Sequence, residues 1–165
     1  MRVLVISDSH GKRNRVMEVV ANYTQWGTDH LVDMVVHLGD YDSDLLKYAE
    51  LFGHVTIVAV AGNGDYGSKT EGERILTLAG HQVLLLHGHK QNVKMGYERL
   101  CYHAREKDVR VCLFGHTHKA CIFEQDNILF MNPGSLGEPP FNDAASYGIL
   151  TLEENMAPKA EVITL

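Results

Sequence analysis

The sequence has no basic surplus, no paired cysteines and no hydrophobic run of membrane length, and each lack closes a class of function. Its 15 Lys and Arg against 21 Asp and Glu give a formal charge of −6 over 165 residues. Non-specific nucleic-acid binding needs clustered cationic side chains, so it is not expected. Cys101, Cys112 and Cys121 form no Cys-x-x-Cys pair and leave an odd count. That argues against a disulfide framework or a cysteine-rich zinc site and predicts reduced thiols in a cytoplasmic protein. The N-terminal apolar run Val3–Ile6 stops at Ser7-Asp8, too short for a secretory signal core, and no segment is long enough to span a bilayer. There is no linker, internal repeat or low-complexity tract, so one domain over residues 1–165 is expected, with 45% hydrophobic residues for its core.

What the chain does have is histidine, ten of them, and histidine is the commonest metal-binding side chain. Asp, Asn and His recur in five short pieces: Asp8-Ser9-His10, Gly39-Asp40, Gly62-Asn63-Gly64-Asp65, His87-Gly88-His89 and Gly115-His116-Thr117-His118. Each piece follows an apolar run. Arg2–Ile6, Met34–Leu38, Val55–Ala61 and Val109–Phe114 read as buried strands, and Arg74–Leu78 with Gln82–His87 as a hairpin. Residues 11–25 carry Val16, Val19, Val20 and Tyr23 at helical spacing, Asp44–Phe52 reads as a short helix, and Val93, Tyr97, Leu100, Cys101 and Ala104 mark another helix face. Strands are expected at 119–124, 127–131, 146–153 and 160–164, with turn chemistry at Asn132-Pro133-Gly134-Ser135. The first half is therefore βαβαβ and the second strand-rich. Eight or more strands in so short a chain predict an α/β protein with two face-to-face sheets flanked by helices, a four-layer αββα sandwich. In that arrangement Asp8, Asp40, Asn63, His87 and His116 all fall at or just past the C-terminal ends of strands, where α/β sheets build ligand sites.

Hard carboxylate and amide oxygens mixed with imidazoles suit divalent transition metals better than Mg²⁺ or Ca²⁺. A carboxylate shared by two cations lets them sit about 3.5–4 Å apart, the spacing used to clamp an in-line displacement at phosphorus. Two dications would also give an acidic protein one locally positive spot for a phosphate.

The five pieces, in this order, resemble the calcineurin-like metallophosphoesterase superfamily, whose pattern is Asp-x-His, Gly-Asp, Gly-Asn-x-Asp, Gly-His or His-Gly-His, and Gly-His-x-His. Length and spacing are similar to the small YfcE-like phosphodiesterase branch, and also to the retromer subunit of the same fold. The resemblance implies one metal on Asp8, His10, Asp40 and His118 and a second on Asp40, Asn63, His87 and His116. Asp40 would bridge, and a hydroxide between the metals would be the nucleophile. It implies catalytic roles for Asp40, Asn63 and His116, and supporting roles behind the ligands for Asp65 and His89. Manganese is the metal expected first, with nickel, iron and zinc also suited. A small phosphodiester is the implied substrate. The alternatives are a phosphomonoesterase or a non-catalytic protein-interaction scaffold of the same fold, and a homo-oligomer stays open. One position departs from the pattern: many relatives carry a histidine after the asparagine to protonate the leaving group, and here that residue is Gly64.

Two look-alike motifs fail. Gly62-Asn63-Gly64-Asp65-Tyr66-Gly67 has dinucleotide-binding glycine spacing, but Ser68–Gly72 after it has no helical periodicity. Asp40-Tyr41-Asp42-Ser43-Asp44 opens like a calcium loop, yet its sixth and twelfth positions are Leu45 and Leu51. Asp44 is read as a helix cap. His30, His54, His81 and His103 are read as surface or loop residues, His37 as a satisfied core or supporting group, and Lys12, Arg13 and Arg15 as a solvated helix face.

Overall fold

Short β-branched runs that are apolar on both faces become the central strands of two packed sheets. The computed structural model describes residues 1–24, 31–53 and 55–165; the readings for Gln25, His30 and His54 lie outside these. The first sheet runs β10-β9-β1-β2-β3, with β1 Arg2–Ile6, β2 Met34–His37, β3 Thr56–Ala59, β9 Ser146–Thr151 and β10 Lys159–Thr164. The second runs β4-β5-β6-β8-β7, with β4 Glu73–Leu78, β5 His81–Leu86, β6 Val111–Leu113, β7 Cys121–Gln125 and β8 Ile128–Asn132.

Alternation along each strand sorts the core into three interfaces. Val3 and Val5 face Leu85, Leu113 and Met131 across the sheet–sheet interface. Leu4 and Ile6 face the other way, onto Val16, Val19 and Val20 of helix α1, Arg13–Thr24. Leu84, Cys112 and Phe130 face Leu100, Cys101 and Ala104 of a helix spanning Glu98–Glu106. The order is helix, sheet, sheet, helix, as the sequence predicts.

Two expected helices are broken. The Asp44–Phe52 segment is a four-residue helix, Ser43–Leu46, followed by a 3-10 turn, Ala49–Phe52. The segment starting at Val93 is a 3-10 turn, Val93–Met95, separated from Glu98–Glu106 by Gly96 at φ 142°. The β4–β5 hairpin turns on Ala79 and Gly80, both at positive φ, the geometry of the favoured two-residue turns.

Register positions the site. β1, β2 and β3 are parallel, with Ile6 level with His37 and His37 level with Ala59. β5, β6 and β8 are also parallel, with Leu85 level with Leu113 and Leu113 level with Met131. The C-terminal ends of both parallel sets meet at one edge. His87 Nδ1 is 2.7 Å from the Leu38 carbonyl, and the Gly137 N–H donates to the Asp8 carbonyl at 3.0 Å.

Candidate metal centre

At this edge six of the predicted ligands converge. Asp8, His10, Asp40 and His118 form one group and Asp40, His87 and His116 another; within each, the ligand atoms lie within 4.8 Å of one another. Asp40 belongs to both. Its Oδ1 is 3.4 Å from His87 Nε2 and its Oδ2 is 3.7 Å from His10 Nε2, so one oxygen faces each side. Asn63 is exposed on the loop after β3, between Gly62 and Gly64, where the Gly64 N–H donates to Asp40 Oδ1 at 2.7 Å.

The backbone that makes these turns is unusual. Asp8, His10, Asp40, His116 and His118 have φ of 52°, 44°, 57°, 69° and 60°. Left-handed backbone at non-glycine residues costs of order 1–3 kcal/mol and gathers at functional sites. Asp and His tolerate it better than most residues, so the side chains that could hold a metal also suit a strand end that turns sharply. At Gly39, φ is 94°, and a Cβ there would lie 2.5 Å from the Gly62 nitrogen; only glycine lets the two loops close on Asp40.

Proton placement follows from the partners. His87 Nδ1 donates to the Leu38 carbonyl and His118 Nδ1 to the Glu138 carbonyl, each at 2.7 Å. Their Nε2 lone pairs then point into the site, the orientation imposed on metal-binding histidines. His118 Nε2 lies 3.2 Å from both Asp8 Oδ1 and His10 Nε2, and His87 Nε2 lies 3.2 Å from His116 Nδ1. Asp8 divides its two oxygens. Oδ2 accepts from Ser7 Oγ at 2.5 Å and the His116 N–H at 3.0 Å. Oδ1 is buried and has no hydrogen-bond partner among the described residues. A buried carboxylate oxygen facing imidazole lone pairs is costly without a cation; the residues fit divalent metal ions.

Carboxylates and imidazoles this close also shift one another's ionisation, in the direction of a positive charge between them. Burial raises the Asp8 carboxyl pKa, but His118, His87 and Ser7 outweigh it and leave it below its ordinary value. Burial likewise raises Asp40, and His87, the Gly64 N–H and His10 bring it well below the ordinary carboxylate range. His118 is raised by its contact with Asp8 against burial. For His87 burial lowers the value, and Asp40 and Asp8 more than reverse it. His116 is pushed down to about 4 by burial, His87 and Lys94.

Asp65 and His89 stand outside the two groups. Asp65 Oδ2 accepts the Asp40 and Gly62 N–H groups at 2.8 and 2.7 Å, and Oδ1 those of Tyr41 and Asp42 at 2.7 and 2.9 Å. One carboxylate thus ties the Asp40 turn to the loop after β3. The His89 ring lies 5.4 Å from His87 and 6.1 Å from His116, centroid to centroid.

His37 is fully buried. Its Nδ1 accepts from the Gly39 N–H, and its Nε2 lies 3.1 Å from Ser9 Oγ. Asp44 corrects the sequence reading. The helix-capping position is Asp42, while Asp44 Oδ2 accepts from Ser9 Oγ at 2.9 Å and the Gly11 N–H at 2.8 Å. Arg13 and Arg15 are engaged in contacts with Tyr48 Oη and the Leu136 carbonyl. His103 meets Glu73 at 2.6 Å and His81 the Glu153 carbonyl at 2.9 Å. Ser135, read as turn chemistry, donates to the Asp8 carbonyl at 2.8 Å and accepts the Gly137 and Glu138 N–H groups.

The profile of the calcineurin-like phosphoesterase superfamily domain matches residues 1–155. The chain is 32% identical over 157 residues, 95% of its length, to the probable metallophosphoesterase YsnB of Bacillus subtilis, covering 88% of that protein. It is 31% identical over 142 residues, 85% of its length, to vacuolar protein sorting-associated protein 29 of Schizosaccharomyces pombe, covering 74% of that protein. A crystal structure from Streptococcus pneumoniae, described as a predicted phosphoesterase, superposes with TM-score 0.81 at 29% identity, covering 99% of this chain and 88% of that one. An archaeal phosphodiesterase structure superposes with TM-score 0.74 at 20% identity over the full length of both chains.

Proposed function

The chain belongs to the calcineurin-like phosphoesterase superfamily, and on that premise we propose that it hydrolyses phosphodiesters at two divalent metal ions. Asp8, His10, Asp40 and His118 would hold one ion and Asp40, Asn63, His87 and His116 the other. The observation that carries this reading is Asp40, shared by both ligand groups with one oxygen turned toward each. Bound metals supply Lewis acidity at the phosphoryl group and lower the pKa of attacking water. The chain's own part is positioning. The Leu38 and Glu138 carbonyls fix two imidazoles. Ser7 and the His116 N–H hold one oxygen of Asp8 so that the other stays free. Asn63, at the rim, would donate to a phosphoryl oxygen as its charge grows.

Manganese is the first metal to supply, with nickel, iron and zinc as comparisons. Diesters are preferred to monoesters on the strength of the archaeal phosphodiesterase of the same fold. The sorting-protein relative supports a second reading, a protein-interaction scaffold; the complete ligand set supports the enzyme. Manganese-reconstituted protein should hold two ions per chain and hydrolyse bis(4-nitrophenyl) phosphate faster than 4-nitrophenyl phosphate. Chelation or Asp40→Ala should abolish turnover. One ion or none would overturn the two-metal reading. Two ions without hydrolysis of any diester or monoester would favour the scaffold.

A further inference from the structure

We infer that a cleft beside the metal centre, between Tyr41 and Tyr66, takes the uncharged aromatic substituent of the phosphoester. The inference rests on the phosphoesterase reading and names the substrate class at the same site. The cleft holds about 330 Å³ and is lined at one point by Gly64, whose N–H donates to Asp40 Oδ1. That volume is at the small end of the roughly 300–1,000 Å³ of organic-ligand pockets.

Both tyrosines are presented rather than packed. Tyr66 is 94% exposed and Tyr41 44% exposed. Neither sits on a slack segment. The Tyr41 N–H donates to Asp65 Oδ1, and the Tyr41 ring lies 5.5 Å from that of His10. The loop carrying Tyr66 is pinned by the Asp65 N–H to the Gly62 carbonyl, the Ser68 N–H to the Asp65 carbonyl, and Ser68 Oγ to Asp42 Oδ2. Asp65 therefore fixes both walls of the cleft and the Asp40 turn together. Two aromatic rings held on pinned loops are a surface for stacking, which contributes about 0.5–1.5 kcal/mol for each aromatic pair.

Charge selects what can enter. No lysine or arginine lines the cleft among the described residues, while Asp42 and Asp65 do. A second phosphate or a carboxylate would meet like charge there. The anionic phosphoryl group is thus drawn to the metals, and the uncharged ring to the tyrosines. A phosphodiester with one aryl or nucleobase-bearing substituent satisfies both ends.

The test is calorimetric binding of phosphinates, in which both substituents are joined to phosphorus through carbon and no ester bond is left to cleave, to the manganese-loaded protein. Benzyl(methyl)phosphinate and methyl(propyl)phosphinate carry the same single charge and differ only in the larger substituent. The benzyl compound should bind about tenfold more tightly, the size expected from stacking on two rings. A 4-carboxybenzyl analogue should lose that advantage. Tyr66→Ala and Tyr41→Ala should each reduce the benzyl preference and together bring it within about twofold, with the propyl compound unchanged; Tyr66→Phe should retain it. Equal binding of benzyl and propyl compounds, or a preference that survives loss of both tyrosines, overturns the cleft and leaves the phosphoesterase reading standing. Failure of every phosphinate to bind a protein shown to hold two metals overturns both.

Discussion

Each carboxylate at the centre is constrained by a neighbour that leaves one of its faces free. Asp8 gives Oδ2 to Ser7 and the His116 N–H and keeps Oδ1 unpaired. Asp65, by contrast, spends both oxygens on four backbone N–H groups, two apiece. An asparagine in its place would fit by size, but either amide orientation turns an NH₂ toward two N–H donors. Asp65→Asn should therefore lower manganese affinity or kcat/KM by about 10–100-fold, the scale seen when a group that orients metal ligands is removed. Asp65→Ala should cost a similar factor, because acceptance rather than volume is what matters. Metal titration and steady-state rates on both variants check this. Complete loss of metal would make Asp65 a ligand, and wild-type behaviour would mean that the loop holds itself.

Elements were legible in the sequence where periodicity and position coincide, and obscure where the partner is far away in the chain. The strand ends announced Asp8, Asp40, His87 and His116, because each apolar run stops at a residue able to bind metal. Helix breaks left no such mark. Gly96 at φ 142° interrupts a segment whose apolar spacing continues across it. Asp44 looks like a cap locally, but its acceptor is used by Ser9 and Gly11, more than thirty positions earlier. Ser135 looks like a turn residue, yet its target is the Asp8 carbonyl, 127 positions earlier and just past β1.

The loop after β3 carries a prediction of its own. Gly64 is not in the left-handed region, so its backbone admits a side chain, but a Cβ there would come within 3.0 Å of Asp40 Oδ1. With no proton donor at this position, departure of the leaving group in the proposed reaction would rest on metals and water, and general-acid catalysis of about 10²–10⁴-fold would be forgone. A plot of log kcat/KM against leaving-group pKa should be steep for the native enzyme. Gly64→His should flatten it, even if crowding of Asp40 lowers every rate. Parallel plots would mean that the imidazole does not reach the leaving group. A flat native plot, with chemistry rate-limiting, would mean that another donor already serves, and His89 is the nearest candidate.

Among the described residues, the buried carboxylates and imidazoles gather where the C-terminal edges of the two sheets meet, and crowding them there has a cost in stability. His37 is the point at which this cost can be measured. It is 0% exposed at the end of β2. With Nδ1 accepting from Gly39, the ring is neutral, with its proton on the Nε2 that faces Ser9. Burial lowers its pKa below 6.5 despite Asp65, Asp8, Asp42 and Asp44 nearby. The unfolded chain takes up this proton as pH falls through about 6.5, whereas the folded chain waits for a lower pH. Between those values the unfolded state holds more protons, so the stability due to His37 is present above about pH 6.5 and is lost below it. The slope for one proton is at most about 1.4 kcal/mol per pH unit. His87 and His118, whose values are raised, act in the opposite direction, so the total pH profile of the metal-free protein is a poor test. A difference isolates His37. His37→Asn keeps an acceptor for the Gly39 N–H and removes the titration. In chelator, urea unfolding should show the variant less stable than the native protein at pH 7.5 by about 1–3 kcal/mol, the usual range for a buried substitution. At pH 5.5 the gap should be narrower by up to about 1 kcal/mol, as the native protein loses what the variant never had. A gap of equal size at both pH values would show that His37 is not held neutral in the fold.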